Sequence, residues 1–246
     1  SSSSAASDVY KRQELENTLN EAAIIAAKHD RKEIMAVDIE EAATKVTMGP
    51  AKQNRKRTED ELNLVAVHEA GHAVVSKFVE KADPVHRVSI VSRGMAGGVT
   101  QFLPQDDRRI ISRQRLLSQV AVALGGRAAE EVVLQDVSTG ASSDINMATS
   151  IVRNMVQKYG MSEKLGLIKY GESNELQYLG YGYGEQRDYS DETAKLIDEE
   201  VRSIMQSAYE KAKDIIVNNR TKFDKLVKLL REKEVVEGEE FDKLFV

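Results

Sequence analysis

The sequence predicts a mainly α-helical protein with a small β-sheet. Apolar residues recur at helical spacing through most of the 246 residues, capping residues precede several of these stretches, and only two short segments alternate as strands do. The 35 basic and 40 acidic residues are well mixed, and no basic block is interleaved with aromatics, which argues against a nucleic-acid surface. Cysteine is absent, so a metal would be held by histidine and carboxylate groups rather than by thiolates.

The N-terminal part is predicted to contain a leader and two helices. Residues 1–12 are polar and of low complexity, and we expect them to be disordered or a non-native leader. A helix is predicted over residues 13–29. A second begins at Asp38, with Glu41 as its capping partner, and stops at Gly49. The basic stretch that follows, within residues 50–57, is typical of a linker.

A capped amphipathic helix is predicted from about Glu59 to Val79. Thr58 and Glu61 have the spacing of a capping box, and the acidic residues of the first turn suit the positive end of the helix dipole. Apolar residues follow at spacings of three, four and seven or eight before Pro84 ends the pattern. The middle of this helix therefore offers rigid positions for functional side chains.

Those middle positions carry the pentapeptide His68-Glu69-Ala70-Gly71-His72 in a chain with 4 histidines. Residues four apart on a helix differ by about 40° in azimuth, so both imidazoles can coordinate one metal ion. Glu69 lies about 100° from His68, beside that metal, where it can take a proton from water. H-E-x-x-H on a helix is typical of a zinc peptidase, although two surface histidines on an ordinary helix would share the spacing. Gly71 leaves room for another backbone, for substrate or for tight packing.

The remaining elements follow in order. Two alternating segments are predicted to pair as a small sheet with one exposed edge, and a Gly- and Tyr-rich stretch is predicted to be a mobile loop. Ser190 is expected to cap a long helix. The predicted strands are 85–91 and 98–103, the helices 112–134, 142–159, 190–219, 223–230 and 239–245, and the loop 171–189.

A catalytic zinc site needs a third protein ligand and one open position. His29 lies beyond the linker, and His86 lies in a predicted strand, so both are poor candidates. Asp144 stands in the first turn of a predicted helix, after a loop of small residues, although an aspartate there also suits the helix dipole. Glu130 and Glu131 compete with it, and spacing does not decide between these carboxylates.

Six motifs follow one another along the chain. They are Met48-Gly49-Pro50, His68-Glu69-Ala70-Gly71-His72, Gly125-Gly126-Arg127-Ala128-Ala129-Glu130-Glu131, Ser138-Thr139-Gly140-Ala141-Ser142-Ser143-Asp144, Tyr159-Gly160-Met161-Ser162-Glu163-Lys164-Leu165-Gly166 and Ser190-Asp191-Glu192-Thr193-Ala194. Together they resemble the FtsH family of membrane-anchored, ATP-dependent zinc metalloproteases. The resemblance runs from about Glu14 to the C-terminus, with the motifs in the family's order.

The resemblance implies roles for individual residues. His68, His72 and Asp144 would bind Zn²⁺, Glu69 would be the catalytic acid and base, and Glu130 would support a ligand. It further implies a zinc metallopeptidase domain over residues 58–246, preceded by the C-terminal part of an AAA+ lid over 13–49. A substrate strand would pair with the sheet edge at about 98–103.

The sequence departs from the family at its N-terminal side. It has no Walker A loop G-x-x-x-x-G-K-[ST] and no apolar run long enough to span a membrane. We therefore expect a truncated portion that does not hydrolyse ATP alone, with ATP and Mg²⁺ used only by the full-length parent.

The expected partners are polypeptide substrates and further copies of the chain in a hexamer, with no nucleic acid. Membrane contact would come only through the missing N-terminal anchor. That anchor would place this part on the cytoplasmic side of a bacterial inner membrane or its organelle equivalent.

Two classes of function compete. The first is a zinc endopeptidase, the proteolytic part of a protease that degrades unfolded or membrane proteins. The second is a ring-assembly or binding module whose metal is structural or absent. A third interpretation treats residues 13–49 as an independent partner-binding unit. An intact Glu69 favours the enzyme, because a structural metal site has no need of a general base.

Overall fold

The computed structural model describes residues 2–51, 57–94, 96–104, 110–171 and 188–245. Helices dominate these residues, and a three-stranded antiparallel sheet completes them, which confirms the predicted fold class. The helices are α1 Ser2–Lys28, α2 Ala36–Met48, α3 Glu59–Phe78, α4 Arg113–Ala129, α5 Ser142–Gln157, α6 Asp191–Asn218, α7 Arg220–Lys233 and α8 Gly238–Lys243. The strands are β1 Val85–Ser89, β2 Val99–Phe102 and β3 Val235–Glu237.

Contacts divide the chain into two compact units, of which the first comprises Ser1–Arg57 and Val91–Gly98. Helices α1 and α2 pack against each other through small buried residues such as Ala22 and Ala42. An ion pair between Lys45 and Glu21 joins the same two helices. Within this unit, small buried residues and an ion pair therefore hold the two helices together.

Both helices of the first unit begin earlier than predicted. α1 begins at Ser2, so it includes most of the segment for which the sequence predicts a disordered or non-native leader; the leader assignment stays a prediction. α2 begins at Ala36, and the backbone N–H of Met35 donates to Oδ2 of Asp38 at 2.9 Å. Asp38 therefore lies inside the first turn and binds the capping residue from there, rather than being the N-cap itself.

The second unit comprises Thr58–Ile90 and Val99–Val246, and α4 lies at its centre, in contact with α3, α5 and α6. Helices α3 and α4 approach each other at Gly71 and Gly125. A Cβ atom on Gly71 would lie 2.3 Å from the Gly125 carbonyl oxygen. The small residue at position 71 therefore makes room for another backbone, which was one of the alternatives that the sequence left open.

The last five residues of the predicted 112–134 helix are not α-helical. α4 ends at Ala129, and residues Glu130–Leu134 continue it as a π-helical turn that ends at Gln135 in the left-handed conformation. A 3₁₀ turn, Thr139–Ala141, then leads into α5. These two short turns lie between α4 and α5.

The sheet has the strand order β2-β1-β3. β1 pairs with β2 as predicted, with Val88 opposite Thr100 and Ser89 opposite Val99. The third strand, β3, was not predicted; Val235 and Val236 pair with β1 between helices α7 and α8. Within the described residues β2 is an edge strand, in agreement with the predicted exposed edge.

Two predictions fall wholly or partly on residues outside the description. Of the predicted loop at 171–189, only Gly171, Asp188 and Tyr189 are described. Residues 52–56 of the predicted linker also lie outside it. Among the described helices, none combines the length and the apolar character that crossing a membrane requires.

Candidate metal centre

The histidine motif lies on a well-capped, buried helix. Thr58 Oγ1 accepts the backbone N–H of Glu61 at 3.2 Å, so α3 begins where the capping box predicts. The middle of the helix is enclosed by the core, and His68, Glu69 and His72 are each less than 10% exposed. A buried helix with a fixed start holds these side chains at constant positions relative to one another.

Three side chains converge on one point. His68 Nε2 lies 3.1 Å from His72 Nε2 and 3.2 Å from Asp144 Oδ2, and the third edge, His72 Nε2 to Asp144 Oδ2, measures 3.6 Å. Tetrahedral ligands at zinc–nitrogen and zinc–oxygen bond lengths stand about 3.3 Å apart. Two imidazoles and one carboxylate at these separations fit Zn²⁺ in both donor type and spacing.

Asp144 reaches this point from the first turn of α5. Ser138 is the N-cap of the preceding 3₁₀ turn, and its Oγ accepts the N–H of Gly140 at 3.1 Å. Of the carboxylates that the sequence left open, the structure brings Asp144 to the Nε2 atoms, whereas Glu130 lies on the far side of the His68 ring and Glu131 faces α6. His29 and His86 are not part of the cluster found among the described residues.

Each imidazole is oriented by an acceptor at its other nitrogen. His72 Nδ1 donates to the carbonyl oxygen of Val122 at 2.8 Å, and His68 Nδ1 lies 2.7 Å from Glu130 Oε1. An acceptor at Nδ1 fixes the tautomer that leaves Nε2 with a lone pair, which is the form that binds metal. Both rings therefore present their ligand atoms to the same point.

Glu130 is fully buried at the start of the π-helical turn. Ser138 donates to it twice, from its backbone N–H to Oε2 at 2.6 Å and from its hydroxyl to Oε1 at 3.0 Å. Burial raises the pKa of Glu130, but the bonds with His68 and Ser138 outweigh it and the pKa is lowered. An ionised Glu130 thus links the His68 ring to the loop that leads to Asp144.

The charges of the site favour a cation. Burial lowers the pKa of His68, yet the hydrogen bonds to Asp144 and Glu130 raise it to about 10. Burial likewise opposes ionisation of Asp144, but the two imidazoles hold its pKa well below the usual range. Without a metal the raised pKa keeps a proton on His68 at neutral pH, and a cation bound at this point would replace that proton.

Glu69 stands beside the three converging atoms and not among them. Its Oε2 accepts a hydrogen bond from the Thr100 hydroxyl of β2 at 2.8 Å. Burial raises the pKa of Glu69 and exceeds the opposing effects of His72, His68 and Thr100. A buried carboxyl group with a raised pKa next to a metal position is suited to taking up and releasing a proton.

Gly126 keeps the ligand face of α4 open. A Cβ atom at this position would lie 2.6 Å from Nε2 of His68 and 2.7 Å from Nε2 of His72. Any larger residue would press on both ligand atoms. Gly125 and Gly126 thus act together: the first admits the backbone of α3 and the second admits its imidazoles.

A family model described as peptidase family M41 matches residues 55–244. The chain belongs to peptidase family M41. This membership confirms the resemblance inferred from the motifs and the prediction of an enzyme of the metallopeptidase class. The M41 match begins just before Thr58, which caps the helix that carries the histidine motif.

Curated relatives of this M41 chain carry the name ATP-dependent zinc metalloprotease FtsH. The protein of Caldicellulosiruptor bescii is 48% identical over 231 residues, which cover 94% of this chain and 38% of the relative. Those of Ruminiclostridium cellulolyticum and Thermotoga maritima are each 47% identical over 232 residues, with the same shares. The chain therefore spans well under half the length of these relatives.

Three contributors to the M41 site have no signal in the sequence that singles them out. The Val122 carbonyl is a backbone group, and Thr100 is one threonine of a short strand. Ser138 belongs to a motif that carried the resemblance, but spacing alone gave it no partner. All three bind residues at least eight positions away in sequence, so their roles depend on how the elements pack.

Proposed function

We propose that this chain is a zinc-dependent endopeptidase whose metal is held by His68, His72 and Asp144. The observation that carries the proposal is the convergence of two Nε2 atoms and one carboxylate oxygen, with the buried Glu69 carboxyl beside them. Three protein ligands leave one position of a tetrahedral ion open, which is the arrangement of catalytic rather than structural zinc.

The chain's own residues then perform the proton transfers. Zinc, when bound, lowers the pKa of a coordinated water and polarises the scissile carbonyl. Glu69 takes a proton at its carboxylate and delivers it to the leaving amine, and its raised pKa favours holding the proton between these events. Glu130 and the Val122 carbonyl keep the two rings turned toward the metal.

A polypeptide substrate binds along the open edge of β2. Main-chain hydrogen bonds to an edge strand do not depend on most side chains, so this mode of binding gives broad sequence specificity. Thr100 of that strand contacts Glu69, so an added strand would lie next to the proposed catalytic group. This proximity supports unfolded polypeptides as the substrate class.

The parent of this chain is proposed to be a membrane-anchored, ATP-dependent protease that assembles as a hexamer. The proposal is supported by relatives named ATP-dependent zinc metalloprotease FtsH, which match 94% of the chain. ATP and Mg²⁺ would act in the parent's nucleotide-binding part. The anchor would place the peptidase on the cytoplasmic side of a bacterial inner membrane or the organelle equivalent, and membrane proteins would join unfolded proteins as substrates.

Substitution of Glu69 by Gln tests the catalytic role. We expect bound zinc to remain near one per chain while hydrolysis of casein falls by about 10²–10⁴-fold, the usual contribution of a general base. Asp60→Asn, an exposed carboxylate of the same helix, is the matched control and should retain activity. Proteolysis by Glu69→Gln at the wild-type rate would refute the assignment.

Substitution of Asp144 by Ala tests the ligand set. Zinc content measured by atomic absorption should fall, because removal of one of three ligands leaves two imidazoles. Unchanged zinc content would assign the third ligand to another carboxylate.

A wild-type chain that binds zinc and hydrolyses nothing would instead support the ring-assembly or binding module.

A further inference from the structure

Thr100 contacts Glu69, the proposed catalytic residue, at two atoms. Its Oγ1 lies 2.8 Å from Oε2 of Glu69 and 3.1 Å from the main-chain oxygen of the same residue. Both partners are acceptors, so the single hydroxyl proton of Thr100 is directed entirely at Glu69. The side chain of Thr100 therefore ties β2 to the residue of α3 that moves the proton.

The backbone N–H and C=O of Thr100 lie in the plane of the sheet and point toward its open edge. Leu103 donates its N–H to the Pro84 carbonyl, on the β1 side, at 3.1 Å. Backbone groups of an antiparallel strand alternate between its two edges, so Gln101 and Val99 also face β1. It follows that the N–H and C=O groups of Thr100 and Phe102 face away from β1.

The pairing on the other side of β1 agrees with this alternation. Ile90 donates its N–H to the Glu234 carbonyl at 2.9 Å, which turns Ile90 toward β3 and, two residues earlier, Val88 as well. Val88 stands opposite Thr100, so these two residues form a pair without mutual backbone bonds. In the described part of the sheet, no strand lies beyond β2 to receive the Thr100 backbone groups.

We propose that Thr100 is the positioning residue that sets the register between a bound polypeptide and Glu69. This inference rests on the proposed function. The Thr100 backbone binds the added strand, while its hydroxyl holds the carboxylate that serves the scissile bond. A slip of one residue moves an extended chain by about 3.3 Å and reverses the faces of its side chains. One residue that contacts both substrate and base prevents such a slip.

The test compares Thr100→Val, which keeps the β-branched shape without the hydroxyl, with Thr100→Ser, which keeps the hydroxyl. Thr221→Val, at an exposed position of α7, is the control for loss of a threonine hydroxyl elsewhere. Each variant is assayed for zinc content, for kcat and KM on a long unstructured peptide, and for cleavage positions by mass spectrometry.

For Thr100→Val we expect zinc content and KM within about twofold of wild type, because ligands and strand backbone remain. kcat should fall about tenfold or more, and the pH profile of kcat should shift, because Glu69 loses its hydrogen bond. Cleavage positions should spread to neighbouring peptide bonds. Thr100→Ser should keep the wild-type kcat, pH profile and cleavage positions, because it keeps the hydroxyl. The Thr221→Val control should match wild type. A wild-type kcat with an unchanged cleavage pattern in Thr100→Val would overturn the proposal.

A second measurement needs no variant and covers the case in which Thr100→Val fails to fold. A peptide substrate is N-methylated at one amide at a time and tested with the wild-type chain. Because only alternate residues of an added strand bond to β2, inhibition of cleavage should recur every second residue. Uniform effects along an efficiently cleaved peptide would overturn the register role, whereas no cleavage of any peptide would be a failure of the proposed function itself.

Discussion

The two faces of the π-helical turn at Glu130–Leu134 carry adjacent glutamates in opposite surroundings. Glu130 is fully buried against His68 and the Ser138 loop. The side chain of Glu131 is 41% exposed, accepts a hydrogen bond from the hydroxyl of Tyr209 and pairs with Lys213 at 2.9 Å. The first face belongs to the proposed metal site, and the second binds the turn to α6.

Position within the π turn, and not residue type, therefore decides what each of the two carboxylates contacts. A π-helical turn shifts side chains relative to the regular helix that precedes it, and such turns are frequent at functional sites. Here the π turn begins at Glu130, the residue whose carboxylate contacts and orients the His68 ring. The neighbouring bonds to Tyr209 and Lys213 hold the widened turn against α6.

Zinc affinity should distinguish the two glutamates more strongly than any other property. Glu130→Ala should lower the zinc affinity about 10- to 100-fold, the usual effect of losing the partner of a ligating histidine. Competition with a chromophoric chelator measures it. Glu131→Ala is the matched control and should stay within about twofold, because Glu131 does not contact His68. Equal losses of zinc affinity in both variants would contradict the different roles assigned to the two faces.

A second expected effect is a proton exchanged for zinc on the Glu130 face. The pKa of His68 is raised to about 10 without a metal, so zinc must displace one proton at neutral pH. Affinity should therefore fall about tenfold per pH unit on going from pH 8 to pH 7. Glu130→Gln should reduce this slope, since it removes the negative charge of one of the two hydrogen-bond partners that raise the pKa of His68, and Glu131→Gln should not. A pH-independent wild-type affinity would contradict the proton count.

The smallest expected effect concerns stability on the Glu131 face. Hydrogen bonds from Tyr209 and Lys213 lower the pKa of Glu131, so the ionised group stabilises the fold above its unfolded pKa of about 4.3. This contribution is lost as the pH falls through the lowered folded value. Glu131→Gln should therefore cost about 0.5 kcal/mol at pH 7, a small figure because the group is exposed. The difference from wild type should vanish near pH 2, as measured by chemical denaturation.

The elements that were predicted correctly are those whose signals are local. Thr58 and Ser190 cap α3 and α6 as their spacing predicts, and the strand segments pair as expected. A capping side chain and the alternation of a strand involve residues within a few positions of one another, so the sequence displays them directly. The histidine pair belongs to the same class, because one helix fixes both rings.

The features that escaped prediction depend on partners far away in sequence. The π turn at Glu130–Leu134 interrupts a regular apolar pattern, and only its contacts across α3 and α6 distinguish it from α-helix. Strand β3 has two adjacent valines as its signal, too short a run to separate from the flanking helices. Spacing left Asp144, Glu130 and Glu131 equivalent, and only the packing of α5 against α4 separates their positions.

The open edge of β2 has a consequence for the behaviour of the chain in solution. An edge that accepts any polypeptide backbone also accepts another copy of the same sheet, and exposed edges are the sites where β-proteins aggregate. β2 contains four residues, and within the described sheet no strand pairs with its outer edge. So short a strand offers few backbone bonds for growth of a sheet from copy to copy, and we expect its brevity to limit self-aggregation.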